Sequence, residues 1–135
     1  HVVGMFLPSL VTGDLIKTFG HKKMIYAGVI IMFSTILTHF IFETYYGYMI
    51  GLILLGVGWN FLFVSGTSLL VVSYNKEDKF LAQGLNDFVV FSSQSIGALS
   101  AGILLFSTSW KTLNLICLPL LILLLLFSIL NNKKK

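Results

Sequence analysis

The sequence predicts an all-α integral membrane protein with five transmembrane helices, and three observations carry that prediction. Apolar stretches, most of them near or above the roughly 20 residues a helix needs to cross about 30 Å of hydrocarbon, fill almost the whole chain. Hydrophobic residues make up 56% of the 135 and charged residues only 10%, with a mean hydropathy of +0.92, which leaves too little polar surface to cover a water-soluble globule. The charges that remain are mostly lysines at the ends of apolar runs, and arginine is absent. That placement reads the net charge of +4 as membrane topology, not as a nucleic-acid surface.

The spans are expected at about 1–19, 24–42, 46–73, 81–106 and 112–131. Helices are preferred to a barrel because the runs far exceed the about 10-residue strands of a membrane barrel and show no period-2 alternation. In the first span Pro8 removes a backbone donor near the middle, so a kink is expected there. The second span lies between the basic pair Lys22 and Lys23 and the acidic Glu43. The third opens on Tyr45, Tyr46 and Tyr48, with Gly47 and Gly51 forming a GxxxG at its start. In the fourth, Ser93, Gly97 and Ala101 fall on one helical stripe, a small-residue surface suited to close helix packing. The fifth is Leu-rich, with a second expected kink at Pro119 and a lone Cys117 read as a small buried hydrophobe.

Lysine placement orients the set. Lys17, Lys22 and Lys23 flank the first connection, Lys76 and Lys79 the third, and Lys133, Lys134 and Lys135 end the chain. The second connection carries Glu43 and tyrosines, and the fourth carries Lys111 beside Trp110. Cytoplasmic loops are enriched in Lys, so the first and third connections and the C-terminus are expected inside, with the tyrosines and Trp110 as anchors at the far interface. Residue 1 then lies on the outer side. With no initiator Met, no charged n-region and no small-residue cleavage site near His1, the chain is expected to be the C-terminal piece of a longer protein or one product of a split gene.

Particular segments then carry a resemblance. The first connection reads Gly13-Asp14-Leu15-Ile16-Lys17-Thr18-Phe19-Gly20-His21-Lys22-Lys23, read as a loop between helices. Longer patterns follow in Gly4-Met5-Phe6-Leu7-Pro8-Ser9, in Leu55-Gly56-Val57-Gly58-Trp59-Asn60-Phe61-Leu62-Phe63 and in Gln83-Gly84-Leu85-Asn86-Asp87-Phe88. Together they resemble helices eight to twelve of a bacterial major facilitator superfamily transporter, over nearly the full chain. The loop motif of that family is matched at Gly13, Leu15, Gly20, Lys22 and Lys23, and is departed from at Lys17 and Thr18, where the family usually has Asp and Arg.

The resemblance implies part of the C-terminal half of a twelve-helix, two-lobe secondary carrier in the inner (cytoplasmic) membrane, moving a small organic solute by alternating access. It implies as partners the lipid bilayer, the solute and a missing N-terminal half, with no cofactor. The solute site of such folds lies near the midplane between the halves, so this chain supplies one wall. The other reading is a non-transporting assembly or regulatory subunit, or a degenerate carrier remnant.

Candidate residues follow from depth and chemistry. Asn60, at mid-span, must hydrogen-bond either a neighbouring helix or a solute, and Trp59 offers a stacking face. Gln94 lies at the equivalent depth of the fourth span and projects about 100° from Ser93, free to face a cavity while the stripe faces a helix. His1 is a candidate for the outer half of the path. Asp87, with Asn86 and Gln83, lies about two turns inside the fourth span and is a candidate for proton coupling, or for a gating role in which it pairs with Lys79 or Lys76. Asp14 precedes Lys17 by three residues, the spacing of a local ion pair. His1, His21 and His39 share no metal-site spacing, and the chain carries no catalytic motif of hydrolases, zinc proteases or phosphate-binding loops.

Overall fold

The computed structural model describes residues 1–130. The lysine tail Lys133 to Lys135, the end of the fifth expected span at 131 and the side chain of Lys76 lie outside the described residues. Six α-helices follow in order: α1 (Val2–Phe6), α2 (Ser9–Phe19), α3 (His21–Ile41), α4 (Tyr45–Val71), α5 (Lys79–Ser107) and α6 (Trp110–Leu130), with a 3-10 turn at Lys76–Asp78 before α5. Helices α1 and α2 are the two parts of one span, Val2–Phe19, so the described residues contain five helical segments long and apolar enough to cross a membrane.

The break between α1 and α2 falls at Leu7 and Pro8, where the missing proline N–H interrupts the ladder. Backbone bonding resumes with Leu10 N–H to Leu7 O at 3.4 Å and Val11 N–H to Pro8 O at 3.0 Å. Helix α6, by contrast, runs through Pro119 without interruption. The segment 13–23 differs from its reading as a loop: it is helical except for Gly20, which at φ +86° makes the whole connection between α2 and α3. Only glycine adopts that left-handed region without steric cost. On the opposite side, Thr44 begins α4 as an N-cap, its hydroxyl oxygen accepting from Gly47 N–H at 3.2 Å.

Helix α4 is the centre of the packing, and its buried residues are Gly47, Gly51, Gly56, Gly58, Asn60 and Ser65. None is a large hydrophobe. In lipid there is little to gain from burying leucine against leucine, so close backbone approach and hydrogen bonds hold helices together instead. A Cβ on Gly28 of α3 would lie 2.8 Å from Leu62 Cγ, and one on Gly4 of α1 would lie 2.7 Å from the Ile53 carbonyl oxygen. The Gly47 and Gly51 pair receives the end of α3: a Cβ on Gly47 would meet Phe42, and one on Gly51 would meet the His39 ring.

Helices α5 and α6 stand further out. No described residue of α5 is buried, and a Cβ on Gly97 would meet nothing within 4 Å. At Gly97 the expected packing stripe therefore has no helix of the described chain against it, while Ser93 lines a groove beside α4. Helix α6 leans on α3, with Tyr26 Oη donating to Ser128 O at 3.2 Å near one end and Asn114 buried near the other. Cys117 is exposed, not buried, because it borders a space that α3, α4 and α6 leave open between them.

Candidate functional site

The groove between α4 and α5 brings two of the sequence candidates together. Trp59, Leu62 and Phe63 form its α4 wall, and Val89, Val90, Ser93 and Gln94 form its α5 wall, around a cavity of about 480 Å³. Trp59 and Phe63 are four residues apart and share a helix face, so their rings stack, with centroids 4.6 Å apart and planes 11° from parallel. Ser93 and Gln94, which carry a hydroxyl and an amide, line the same cavity from α5. An aromatic floor sharing a cavity with two neutral hydrogen-bonding groups suits a planar, polar-edged molecule.

Asn60, next in sequence to Trp59, is turned away from this groove and is only 2% exposed. Its Nδ2 donates to the Met5 carbonyl at 2.7 Å, and its Oδ1 lies 2.7 Å from Thr12 Oγ1. The Thr12 hydroxyl has one hydrogen and two acceptors in reach, Asn60 Oδ1 and Pro8 O, the latter at 2.7 Å. Pro8 O already accepts from the N–H groups of Val11 and Thr12, so the hydroxyl hydrogen belongs to Asn60. Ser9 Oγ donates to Phe6 O at 2.5 Å. The carbonyls of Met5 and Phe6, both beside the proline break, therefore take side-chain donors, one of them from α4.

The remaining candidates are dispersed. His1 Nδ1 lies 3.2 Å from the Leu52 carbonyl, fastening the chain start to α4. Gln83 donates to Tyr74 Oη at 2.9 Å, while Asn86 donates to the exposed Asp87 carboxylate at 3.2 Å, so these three do not form one cluster. Among the described residues Asp87 forms no ion pair with Lys79. Asp14 and Lys17 do form the expected local pair, at 2.9 Å with both side chains about four-fifths exposed. A Cβ on Gly13 would meet nothing within 4 Å, Gly20 is the turn, and Lys22 and Lys23 are exposed at the start of α3. His21 Nε2, in the same turn, lies 3.0 Å from Ser68 Oγ of α4.

Sequence reasoning missed a second assembly, at the other end of the bundle. His39 of α3 is 3% exposed and meets Asn114 of α6, Nδ1 to Oδ1 at 3.3 Å. Its ring lies 5.4 Å from that of Trp110, edge to face, and 5.8 Å from that of Tyr48. Beside this cluster Glu43 and Lys111 form an ion pair that joins the second and fourth connections. The available signal was a histidine and an asparagine inside apolar runs, with Gly51 beneath them. Among the described residues no group of His, Cys, Asp or Glu is placed to hold a metal ion.

Comparison with known proteins places this architecture. The description Major Facilitator Superfamily matches residues 1–135, the entire chain. The chain belongs to the major facilitator superfamily. A superfamily relative named riboflavin transporter RfnT, from Brucella anthropi, is 39% identical over 137 residues, covering 100% of this chain and 34% of the relative. Two MFS-type transporters of Bacillus subtilis, YdeG and YddS, are 35% and 30% identical over 118 and 117 residues, covering 86% and 85% of this chain and 27% of each relative. No solved structure matches significantly. The chain thus spans about a third or less of these MFS relatives, and its five apolar segments make it a multi-pass membrane protein of the superfamily.

Proposed function

We propose that this chain forms helices eight to twelve of an alternating-access carrier in the cytoplasmic membrane, and that the α4–α5 groove is its share of the solute path. The supporting observation is the meeting of the stacked Trp59 and Phe63 with Ser93 and Gln94 around one cavity. The solute class that fits is a small planar heteroaromatic, its face on the rings and its edge on the amide and hydroxyl. That a relative carries the name riboflavin transporter supports a flavin-like solute, and that all three relatives are named as transporters supports a carrier over an assembly subunit or a catalyst.

In this reading the opposite wall comes from a further half of the carrier, and the Gly20 end, with Lys17, Lys22 and Lys23, faces the cytoplasm together with the C-terminus. Asp87, exposed near the same end and held by Asn86, serves gating and not ion coupling. Asn60 acts on the wall's shape through Met5 and Thr12.

The test is uptake of riboflavin and a panel of planar heteroaromatics by the full-length carrier. Trp59→Ala and Gln94→Ala are each expected to raise the KM about fivefold, as loss of a stacking or hydrogen-bond contact implies, while Trp59→Phe keeps most of the affinity. Unchanged kinetics in both alanine variants would remove the groove from the path. Asp87→Asn is expected to retain accumulation against a gradient; loss of accumulation with exchange retained would assign coupling to Asp87.

A further inference from the structure

The groove between α4 and α5 continues past its aromatic floor. A further cavity of about 390 Å³ extends it toward the start of α5, lined by Leu70 of α4 and by Ala82, Leu85, Asn86 and Val89 of α5, so that Val89 belongs to both. On α5, Asn86, Val89, Val90 and Ser93 fall at i, i+3, i+4 and i+7, and on α4, Trp59, Phe63, Gly66 and Leu70 step by four, three and four, each set along one helix face. Gly66 therefore stands between the two cavities on the α4 side, and a Cβ there would meet nothing within 4 Å. The passage is open at that point. One turn beyond Asn86, Gln83 donates to Tyr74 Oη at 2.9 Å and ties α5 to the segment after α4.

Among the residues lining this second cavity only Asn86 carries a polar side chain, and it is half-buried, not sealed from the space. Its Nδ2 donates to the Asp87 carboxylate at 3.2 Å. A carboxylate only accepts, so the amide nitrogen is held toward Asp87; Oδ1 is left without a donor among the described residues, together with one N–H. One amide thus offers an acceptor and a donor. A hydroxyl is matched to both, whereas an ammonium only donates and a carboxylate only accepts.

We propose that Asn86 is a specificity-determining residue of the solute path, taking the hydroxylated side chain of a planar heteroaromatic whose ring lies on Trp59 and Phe63. This rests on the groove being part of that path. Seven residues separate Asn86 from Ser93, about 10 Å along α5, so a bare ring held at the first cavity stops short of Asn86 and a ring bearing a chain of several carbons reaches it.

The probes are riboflavin and lumiflavin, which share one ring system and differ in a single substituent, a polyol chain in the first and a methyl group in the second. Uptake of each by the full-length carrier gives a ratio of KM values, expected to favour riboflavin severalfold. Asn86→Ala is expected to cut that preference about fivefold by raising the KM of riboflavin, and Asn86→Gln, which keeps the amide, to restore part of it. A residue that served only gating or structure would change both solutes alike. Gln94→Ala is expected to raise both KM values together and keep the ratio, as a contact with the shared ring does. Gly66→Leu, which places a side chain between the two cavities, is expected to cut the preference without touching Asn86, and it carries the test should Asn86→Ala abolish transport of both solutes. No uptake of riboflavin, no preference for it over lumiflavin, or a preference that survives these substitutions would overturn the proposal. Where Trp59→Ala and Gln94→Ala raise both KM values and Asn86→Ala leaves the ratio intact, the groove stands and the role of Asn86 falls; where neither alanine variant at 59 or 94 alters either KM, the groove falls and takes this proposal with it.

Discussion

Asn60 Nδ2 donates to the Met5 carbonyl at 2.7 Å across the interface of α4 with α1, beside the point where Pro8 interrupts the first span. A proline in a lipid-embedded helix leaves backbone acceptors that water cannot reach, and a neighbouring helix has to satisfy them. Thr12, one turn beyond Pro8, completes the arrangement by donating to Asn60 Oδ1. The amide therefore bridges both sides of the break, α1 through Met5 and α2 through Thr12.

Replacing Asn60 by alanine is accordingly expected to destabilise the folded chain by about 1 kcal/mol, the scale of interhelical hydrogen bonds in membranes. Thr12→Val, which removes only the Oδ1 partner, is expected to cost less. Equilibrium unfolding in mixed micelles measures both, and an Asn60→Ala chain as stable as the parent would show that the break is satisfied some other way.

Glycine positions divide by what surrounds them. A Cβ on Gly56 would lie 2.5 Å from the His1 carbonyl oxygen and 2.8 Å from the Gly4 carbonyl carbon, both backbone atoms that cannot rotate aside. Gly56→Ala should push α1 off α4 and cost about 1–3 kcal/mol, as overpacking does. Gly97→Ala meets open space and should leave stability unchanged within about 1 kcal/mol. The same unfolding measurement compares them, and equal effects would contradict the packing described for α1 on α4.

The Glu43 and Lys111 pair links two connections distant in sequence. With Cys117→Ser as background, Glu43→Cys and Lys111→Cys are expected to be joined by a short bifunctional thiol reagent, with intramolecular product dominating on a gel at low protein concentration. A Glu43→Cys chain paired instead with a cysteine at Lys79 serves as the distant control. Equal yields for the two pairs would mean that α3 and α6 do not meet as described. The pair itself is about half exposed, so its charge reversal should have little effect on stability.

Much of this architecture was legible in the sequence, because a bilayer imposes length and apolarity on each span separately. The five segments, the break at Pro8 and the close approach at Gly47 and Gly51 all follow from local rules. Partners were not legible. Asn60 announced a need for a hydrogen bond, but its acceptor is the backbone of Met5, which has no side-chain signature and lies 55 residues away. His39 and Asn114, 75 residues apart, meet only because α6 packs on α3. A lone cysteine inside an apolar run, as Cys117 is, reads as buried, but in a helix apolar throughout the run does not tell a packed position from an open one. Trp59 and Gln94 were singled out by depth, and the groove that joins them required the placement of α5 beside α4.

Contact between the α4–α5 groove and the transported solute is read out by protection of a cysteine at position 94. In the full-length carrier with Cys117→Ser and Gln94→Cys, the rate of modification by a small aqueous thiol reagent is measured with and without saturating riboflavin or another transported planar solute. A severalfold slower reaction is expected in the presence of solute, and no slowing for a cysteine at Lys23, exposed at the start of α3 away from the groove. Identical rates at position 94 with and without a solute that the carrier demonstrably transports would contradict it.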